Sequence, residues 1–302
     1  MLIQLVARLW ESSWADDAAV WDKDNSVAYD PDKVRKIEHN GTYLKMSGTQ
    51  QTHPSPQRTP FLFQAGTSRA GQNFAAKHAE AVFMGAFTPS QLKPKVAAIR
   101  AAAAAAGRDP ASVKVFAGIT MHVGRTTEEA QAKYETALTH ADYVAGLAQF
   151  SGHTGIDMSK FPPDEVFKLE GVPGEHVIRS VIDDFQAVSQ ETGDWTPRKL
   201  GLKISTGGMH PAPVGSVEQI ADYLENWVEE ADIDGFNISA VHNPGTFEDV
   251  VDLLVPELQK RGLMWDDYAV PGGTFRENLY GKGQSKLRDD HYGSTFKWKA
   301  GQ

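Results

Sequence analysis

Apolar residues along this chain recur at two periods, one helical and one extended, with polar punctuation between them. Leu2, Leu5, Val6 and Leu9 fall at helical spacing, so Met1 to Trp10 is predicted as an amphipathic helix that begins without an N-cap. Trp14 to Asp32, rich in aspartate and carrying Pro31, reads as a solvated excursion. A hairpin is predicted around His39-Asn40-Gly41, with Val34 and Ile37 on one side and Tyr43 and Leu44 on the other, because Asn and Gly both tolerate positive φ. A proline-bearing connector over residues 47–60 leads out of it.

From Thr59 the pattern changes to short apolar runs alternating with helical stretches. Phe61 to Gln64, opened by Pro60, is predicted as a strand, followed by a helix over Ala70 to Ala79. Ala81 to Gly85 is a second strand, Pro89 to Ala106 a helix stopped by Gly107, and Val113 to Thr120 a third strand. Thr127 is expected to cap a helix running from Glu128 to Ala148. Phe150 to Pro173, broken by glycines and prolines, has the composition of a lid or binding loop. Gly174 to Gln190 is predicted helical, and Gly193 to Pro213 loop-rich around the apolar piece Leu200 to Ile204.

Ser216-Val217-Glu218-Gln219 has the form of a capping box opening a helix whose apolar face carries Ile220, Leu224 and Trp227. Gly235 to Ser239 is a fourth strand. The last helix has Phe247, Val250, Val251, Leu254 and Leu258 as its buried stripe, a kink at Pro256 and a stop at Gly262. Pro271 onward reads as a basic, glycine-rich, solvated tail. Four strands, each paired with a helix, imply an α/β fold with a parallel sheet.

Composition narrows function by exclusion. The 302 residues carry a formal charge of -9, which offers no overall basic surface for nucleic acid or anionic lipid. With no cysteine there is no disulfide framework, thiolate nucleophile or Cys-ligated metal, in keeping with a cytoplasmic location. No apolar run approaches the roughly 18 residues of a membrane span, and the N-terminus lacks the features of a signal peptide. Gly-x-Gly-x-x-Gly after a strand, a P-loop, His-Glu-x-x-His and Gly-x-Ser-x-Gly are all missing, and no metal is expected.

The chemistry-bearing stretch is Gln64-Ala65-Gly66-Thr67-Ser68-Arg69, a strand-to-helix turn. Thr67 and Ser68 offer capping hydroxyls, Gly66 permits close backbone approach, and the positive end of the following helix favours an anion such as phosphate. An ordinary capped β–α turn would use the same residue types. His210, beside Gly207 and Gly208, is given no role.

Several ordered pieces closely resemble one family. They are Ile37-Glu38-His39-Asn40-Gly41-Thr42-Tyr43, Ser55-Pro56-Gln57-Arg58-Thr59-Pro60, Gln64-Ala65-Gly66-Thr67-Ser68, Ala79-Glu80-Ala81-Val82-Phe83, Phe150-Ser151-Gly152-His153-Thr154-Gly155-Ile156-Asp157, and Val214 to Asp222 with Asp234-Gly235-Phe236-Asn237. Together they resemble the flavin-dependent monooxygenases of the nitrilotriacetate, pristinamycin and dibenzothiophene-sulfone type, a branch of the luciferase-like superfamily.

That resemblance implies part of an eight-stranded β/α TIM barrel, with the strands here counted as the fifth to the eighth and the first half lacking. It implies one domain over 1–302: a helix end, excursion and hairpin over 1–58, β/α units over 59–270 with an insert at about 150–213, and a tail over 271–302. It further implies oxygenation of a small organic substrate with O₂ by reduced FMN delivered from a separate reductase, in a homo-oligomer. The FMN site would comprise Gln64, Ala65, Gly66, Thr67, Ser68 and Arg69, with His153 in a lid and His242 after the eighth strand near the substrate. The catalytic residues stay unassigned. Two other readings remain: a truncated, non-catalytic half barrel that needs a partner chain, and an oxidoreductase using a deazaflavin hydride carrier.

Overall fold

The computed structural model describes residues 2–66, 68–167 and 195–299; the helix expected over 174–190 lies outside them, as does Thr67. The N-terminal periodicity gives α1 (Leu2–Ser12), which buries Leu5 and Ala7. The segment expected to be a solvated excursion is largely exposed, and within it β1 (Ala19–Asp22) pairs antiparallel with β2 (Val27–Tyr29), anchored by the buried Trp14, Ala15 and Ala18. The Asn-Gly hairpin forms as β3 (Ile37–Asn40) against β4 (Lys45–Gly48), with Gly41 donating to Leu44 O across the turn at 2.9 Å. Tyr43, expected on a strand, sits exposed in that turn.

The β/α alternation then appears as β5 (Phe63–Ala65), α2 (Arg69–His78), β6 (Ala81–Met84), α3 (Pro89–Ala105) and β7 (Lys114–Thr120). A short β8 (His122–Gly124) follows. Thr88 and Gln91 form a reciprocal capping box at α3, and Gly107, at φ 80°, closes its C-terminus. The single long helix expected after β7 is two. Thr126, not Thr127, caps α4 (Thr127–Thr139), and Asp142 caps a separate α5 (Tyr143–Thr154), so Phe150 to Thr154 of the expected loop is helical.

A second correction falls at Leu200 to Ile204. This piece is the middle of α6 (Pro197–Gly207), with Thr196 as N-cap and Pro197 in the first turn, where proline is best tolerated. Then come β9 (Val214–Ser216), α7 (Val217–Ala231) with the expected Ser216–Gln219 capping box, and β10 (Gly235–Ser239). The last long helix runs as α8 (Gly245–Asp249), a π-helical turn over Val250–Leu254, and α9 (Val255–Lys260). Pro256 has no N–H to give the preceding turn, and the distortion predicted there takes the form of that π turn. Of the expected stripe, Val250 and Leu254 are buried, whereas Phe247 and Val251 are exposed.

Strands β5, β6, β7 and β10 form one parallel sheet in that order, with Phe63 opposite Ala81, Phe83 opposite Phe116, and Phe116 opposite Gly235. One face carries Val82, Met84, Val115 and Ala117 into a core shared with Leu92, Val96 and Ile99 of α3 and Trp227 of α7. The opposite face carries Phe63, Phe83 and Phe116, with Phe63 and Phe83 stacked at 5.0 Å. Beyond β7, β8 pairs in parallel with β9.

The C-terminal segment is not a solvated tail. It forms α10 (Phe275–Tyr280), buries Arg276 and Leu287, and Trp298 packs against the cluster of Trp14, Ala15 and Ala18. The guanidinium of Arg276 holds the two oxygens of buried Glu80 and the carbonyls of Thr59 and Pro60, the residues leading into β5.

Candidate functional site

The β5–α2 turn is built much as its sequence suggests. Ser68 is the N-cap: its Oγ accepts from Gly71 N–H at 3.2 Å, while its carbonyl accepts from Gln72 N–H at 2.8 Å. The Ser68 hydroxyl proton stays available, because a capping oxygen that accepts can still donate. The amides of Arg69 and Ala70 precede any intrahelical acceptor. Gly66 takes φ 126°, a conformation that favours glycine. Gly71 is required for another reason: a Cβ there would stand 2.8 Å from Gly66 O, so the turn lies directly on the first turn of α2.

Gln64 curls back, its Nε2 donating to Ala65 O at 2.8 Å, and leaves its Oε1 buried without a partner. Ala65, Ser68 and Arg69 are exposed at the surface of the turn. Thr67 falls outside the described residues.

A cavity of about 480 Å³ opens at the carboxyl ends of the neighbouring strands. Gly85, Ala86 and Phe87 come from the end of β6, Thr120 from β7, and Ser239, Ala240 and Val241 from β10. The remaining wall is Gln149 and His153 of α5 and the run Ile204 to His210 at the end of α6. In a parallel β/α sheet, ligands collect at this edge, and the β5–α2 turn lies on it too. The volume suits a small organic molecule.

Helices α5 and α6 form this wall through a glycine crossing. A Cβ on Gly146 would overlap the backbone of Gly201, and one on Gly201 would overlap the carbonyl of Tyr143. Behind the crossing, Phe150, Ile156, Met158, Leu200 and Ile204 make a separate buried cluster.

His153 does line the cavity, from the last turn of a helix rather than from a lid loop, with Nδ1 2.9 Å from Gln149 O. His242 does not. It is exposed after β10, and its backbone carbonyl accepts from Thr246 N–H at 2.8 Å at the start of α8.

The group missed from sequence is His210. It enters the cavity because residues 207–213 run beside the end of β7, where Thr120 N–H donates to Pro211 O at 3.0 Å and Thr120 Oγ1 to Gly207 O at 3.0 Å. Its ring lies on Gly118, where any Cβ would overlap Nδ1. The signal was present in Gly118, since a glycine inside a buried strand often marks a close approach. Nδ1 is buried without a partner, and burial, together with neighbouring His153, lowers the His210 pKa below the ordinary imidazole value. Among the described residues, no cluster of three or more His, Cys, Asp or Glu side chains could hold a metal ion, and no helix is long and apolar enough to cross a membrane.

Comparison with known proteins places these features in context. The profile of the luciferase-like monooxygenases matches residues 2–234. Long-chain alkane monooxygenase of Geobacillus thermodenitrificans is 40% identical over 98% of this chain and 61% of its own length. The crystal structure of DmoA from Hyphomicrobium sulfonivorans superposes with a TM-score of 0.86 at 37% identity, over 98% of this chain and 61% of that one. Riboflavin lyase RcaE, solved with modified FMN and riboflavin, gives a TM-score of 0.82 at 33% identity, over 98% of this chain and 64% of that one. The chain thus spans about three fifths of the length of these relatives.

Proposed function

Since this chain belongs to the luciferase-like monooxygenase family, we propose that it is a flavin-dependent monooxygenase acting on a small organic substrate, with FMN held by the β5–α2 turn. The observation that carries the proposal is the Ser68 cap: its oxygen is engaged by Gly71 N–H, its proton is free, and two helix amides stand beside it on an exposed turn. A phosphate fits that arrangement, because it accepts all three donors and meets the positive end of the helix. Gly66 removes the side chain that would stand in the way, and the unpartnered Gln64 Oε1 supplies a polar edge next to it. Thr67 is assigned to the same site by resemblance alone.

Reduced FMN, when bound, supplies the electrons and the oxygen chemistry. The residues of this chain do the rest. Ser68 and the amides of Arg69 and Ala70 anchor the phosphate, and Gln64 and Ala65 border the ring. Phe87, Ile204 and Val241 keep water from the cavity, where His210 and His153 offer the polar contacts that orient the substrate. The strands β5, β6, β7 and β10 correspond in this reading to the fifth to eighth of a TIM barrel. A separate reductase delivers the reduced flavin to a homo-oligomer in the cytoplasm. His242 belongs to the rim rather than the cavity.

The test is FMN titration of the purified chain by flavin fluorescence quenching, with Ser68→Ala as control and gel filtration in parallel. Micromolar binding, weakened about tenfold by Ser68→Ala, supports the reading, a tenfold loss being about 1.4 kcal/mol. A folded chain that binds no FMN, or binds it equally well without the Ser68 hydroxyl, sinks it.

A further inference from the structure

The surface of this protein is laced with ion pairs, yet among the described residues no carboxylate, ammonium or guanidinium lines the cavity. Lys203, one residue before Ile204, turns its ammonium onto the face of Phe87 at 5.9 Å and is not part of the lining. The described lining is therefore mainly glycine and apolar side chains, interrupted by hydroxyls, Gln149 and two imidazoles.

Two imidazoles in it are complementary. His153 Nδ1 meets the carbonyl of Gln149 at 2.9 Å. A carbonyl only accepts, so Nδ1 bears the proton and Nε2 of the neutral ring is left as an acceptor. His210 is arranged the other way. Its Nδ1 is buried against Gly118 with no partner. An orphaned lone pair costs less than an orphaned N–H, so the proton of the neutral ring resides on Nε2. The hydroxyl of Thr120 is already committed to Gly207 O, so it does not compete with His210 for an acceptor.

We propose that this cavity selects an uncharged organic substrate with an apolar body and a hydrogen-bond acceptor held by His210 Nε2–H, and rejects carboxylates and ammonium ions. The inference rests on the reading of the cavity as the substrate side of a flavin site. An ionised group entering it would lose its hydration shell and meet no counter-charge among the described lining residues, whereas a neutral acceptor would gain a donor already fixed in place by the glycine notch.

The experiment compares three probes of equal chain length, octanamide, octanoate and octylammonium, by calorimetry at pH 7.5 on the full chain without flavin. Octanamide is expected to bind at least about tenfold more tightly than either ion. His210→Leu and Gly118→Ala, the second displacing the ring without deleting it, should each weaken octanamide about tenfold, while His210→Gln, which keeps a donor, should stay within about threefold. Thermal melts establish that each variant is folded. Octanoate or octylammonium binding as tightly as octanamide, no measurable octanamide binding, or indifference of a folded His210→Leu variant would overturn the proposal. FMN is titrated separately: selective octanamide binding without FMN binding would support this inference and remove the flavin reading, and FMN binding without octanamide selectivity would do the reverse.

Discussion

Arg276 and Glu80 form a fully buried, two-pronged ion pair, with Nε donating to Oε1 at 2.7 Å and Nη2 to Oε2 at 2.8 Å. The same guanidinium reaches the carbonyls of Gln57, Thr59, Pro60 and Ser285, and Glu80 Oε2 accepts from Leu62 N–H at 3.2 Å. The C-terminal segment is thereby fastened to the lead-in of β5 and the start of β6, at the opposite end of the sheet from the cavity. Removing one partner strands a buried charge. Arg276→Ala should cost about 3–5 kcal/mol in urea denaturation, and Glu80→Ala a similar amount. A loss below about 1 kcal/mol would mean that the pair does not hold the segment.

Gly71→Ala tests the turn while leaving the Ser68 hydroxyl in the chain, although the new Cβ would also stand 3.3 Å from Ser68 Oγ. Its new methyl would press on Gly66 O at 2.8 Å and force the turn off the first turn of α2. FMN affinity should fall about tenfold, with only a small change in melting temperature. Unchanged affinity would show that the flavin does not depend on this close approach.

The helix crossing offers a third test. Gly146→Ala cannot be accommodated against Gly201 without separating α5 from α6, and overpacking of this kind costs about 1–3 kcal/mol. Because Gln149 and His153 ride on α5 and Ile204 to Gly207 on α6, probe binding in the cavity should weaken along with stability. Lowered stability with intact cavity binding would mean that the wall moves as one body.

Stability should decline on mild acidification. Burial, the largest cause, brings the His78 pKa down to about 4, with Lys77 and His291 acting the same way. Burial likewise lowers His122, His210 and His291. His291 is locked as a neutral ring, with Nδ1 accepting from Gly293 N–H at 3.0 Å and Nε2 donating to His78 O at 2.9 Å. The unfolded chain takes up these protons near pH 6.5 and the folded chain only lower, so the unfolded state binds more protons in between. Stability is therefore complete above about pH 6.5 and is lost as pH falls toward about 4. Discounted for its partial exposure, His78 contributes on the order of 1 kcal/mol between pH 7 and 5. Urea midpoints at pH 7.5 and 5.0 check this; an equal or higher midpoint at pH 5.0 counts against it.

Much of the architecture was legible because its signals are local. The Ser216 capping box, the Ser68 cap, Gly107, Gly262 and the apolar runs of β6, β7 and β10 each act within a few residues. What escaped depends on distant partners. Gly201 and Gly207 make α6 read as loop, yet Gly201 is glycine because α5 crosses it. Thr196 and Pro197 did carry the start signal of that helix. Arg276 looked like one more cation in a basic tail, since nothing near it in sequence announces Glu80. His210 is meaningful only beside Gly118, and a strand glycine says that something approaches without saying what.

The distance along the chain between Glu80 and Arg276 has a consequence for biosynthesis. The two are separated by 196 residues, so the carboxylate that supports β5 is made long before its cation. At about 5–20 residues per second a ribosome takes roughly 10–40 s to cover that span. During that time the nascent β5 and β6 have Glu80 without its cation. The final locking of the strand that leads into the Ser68 turn is thus a late event in the life of each new molecule, and chains released before Arg276 would emerge with that strand unsecured.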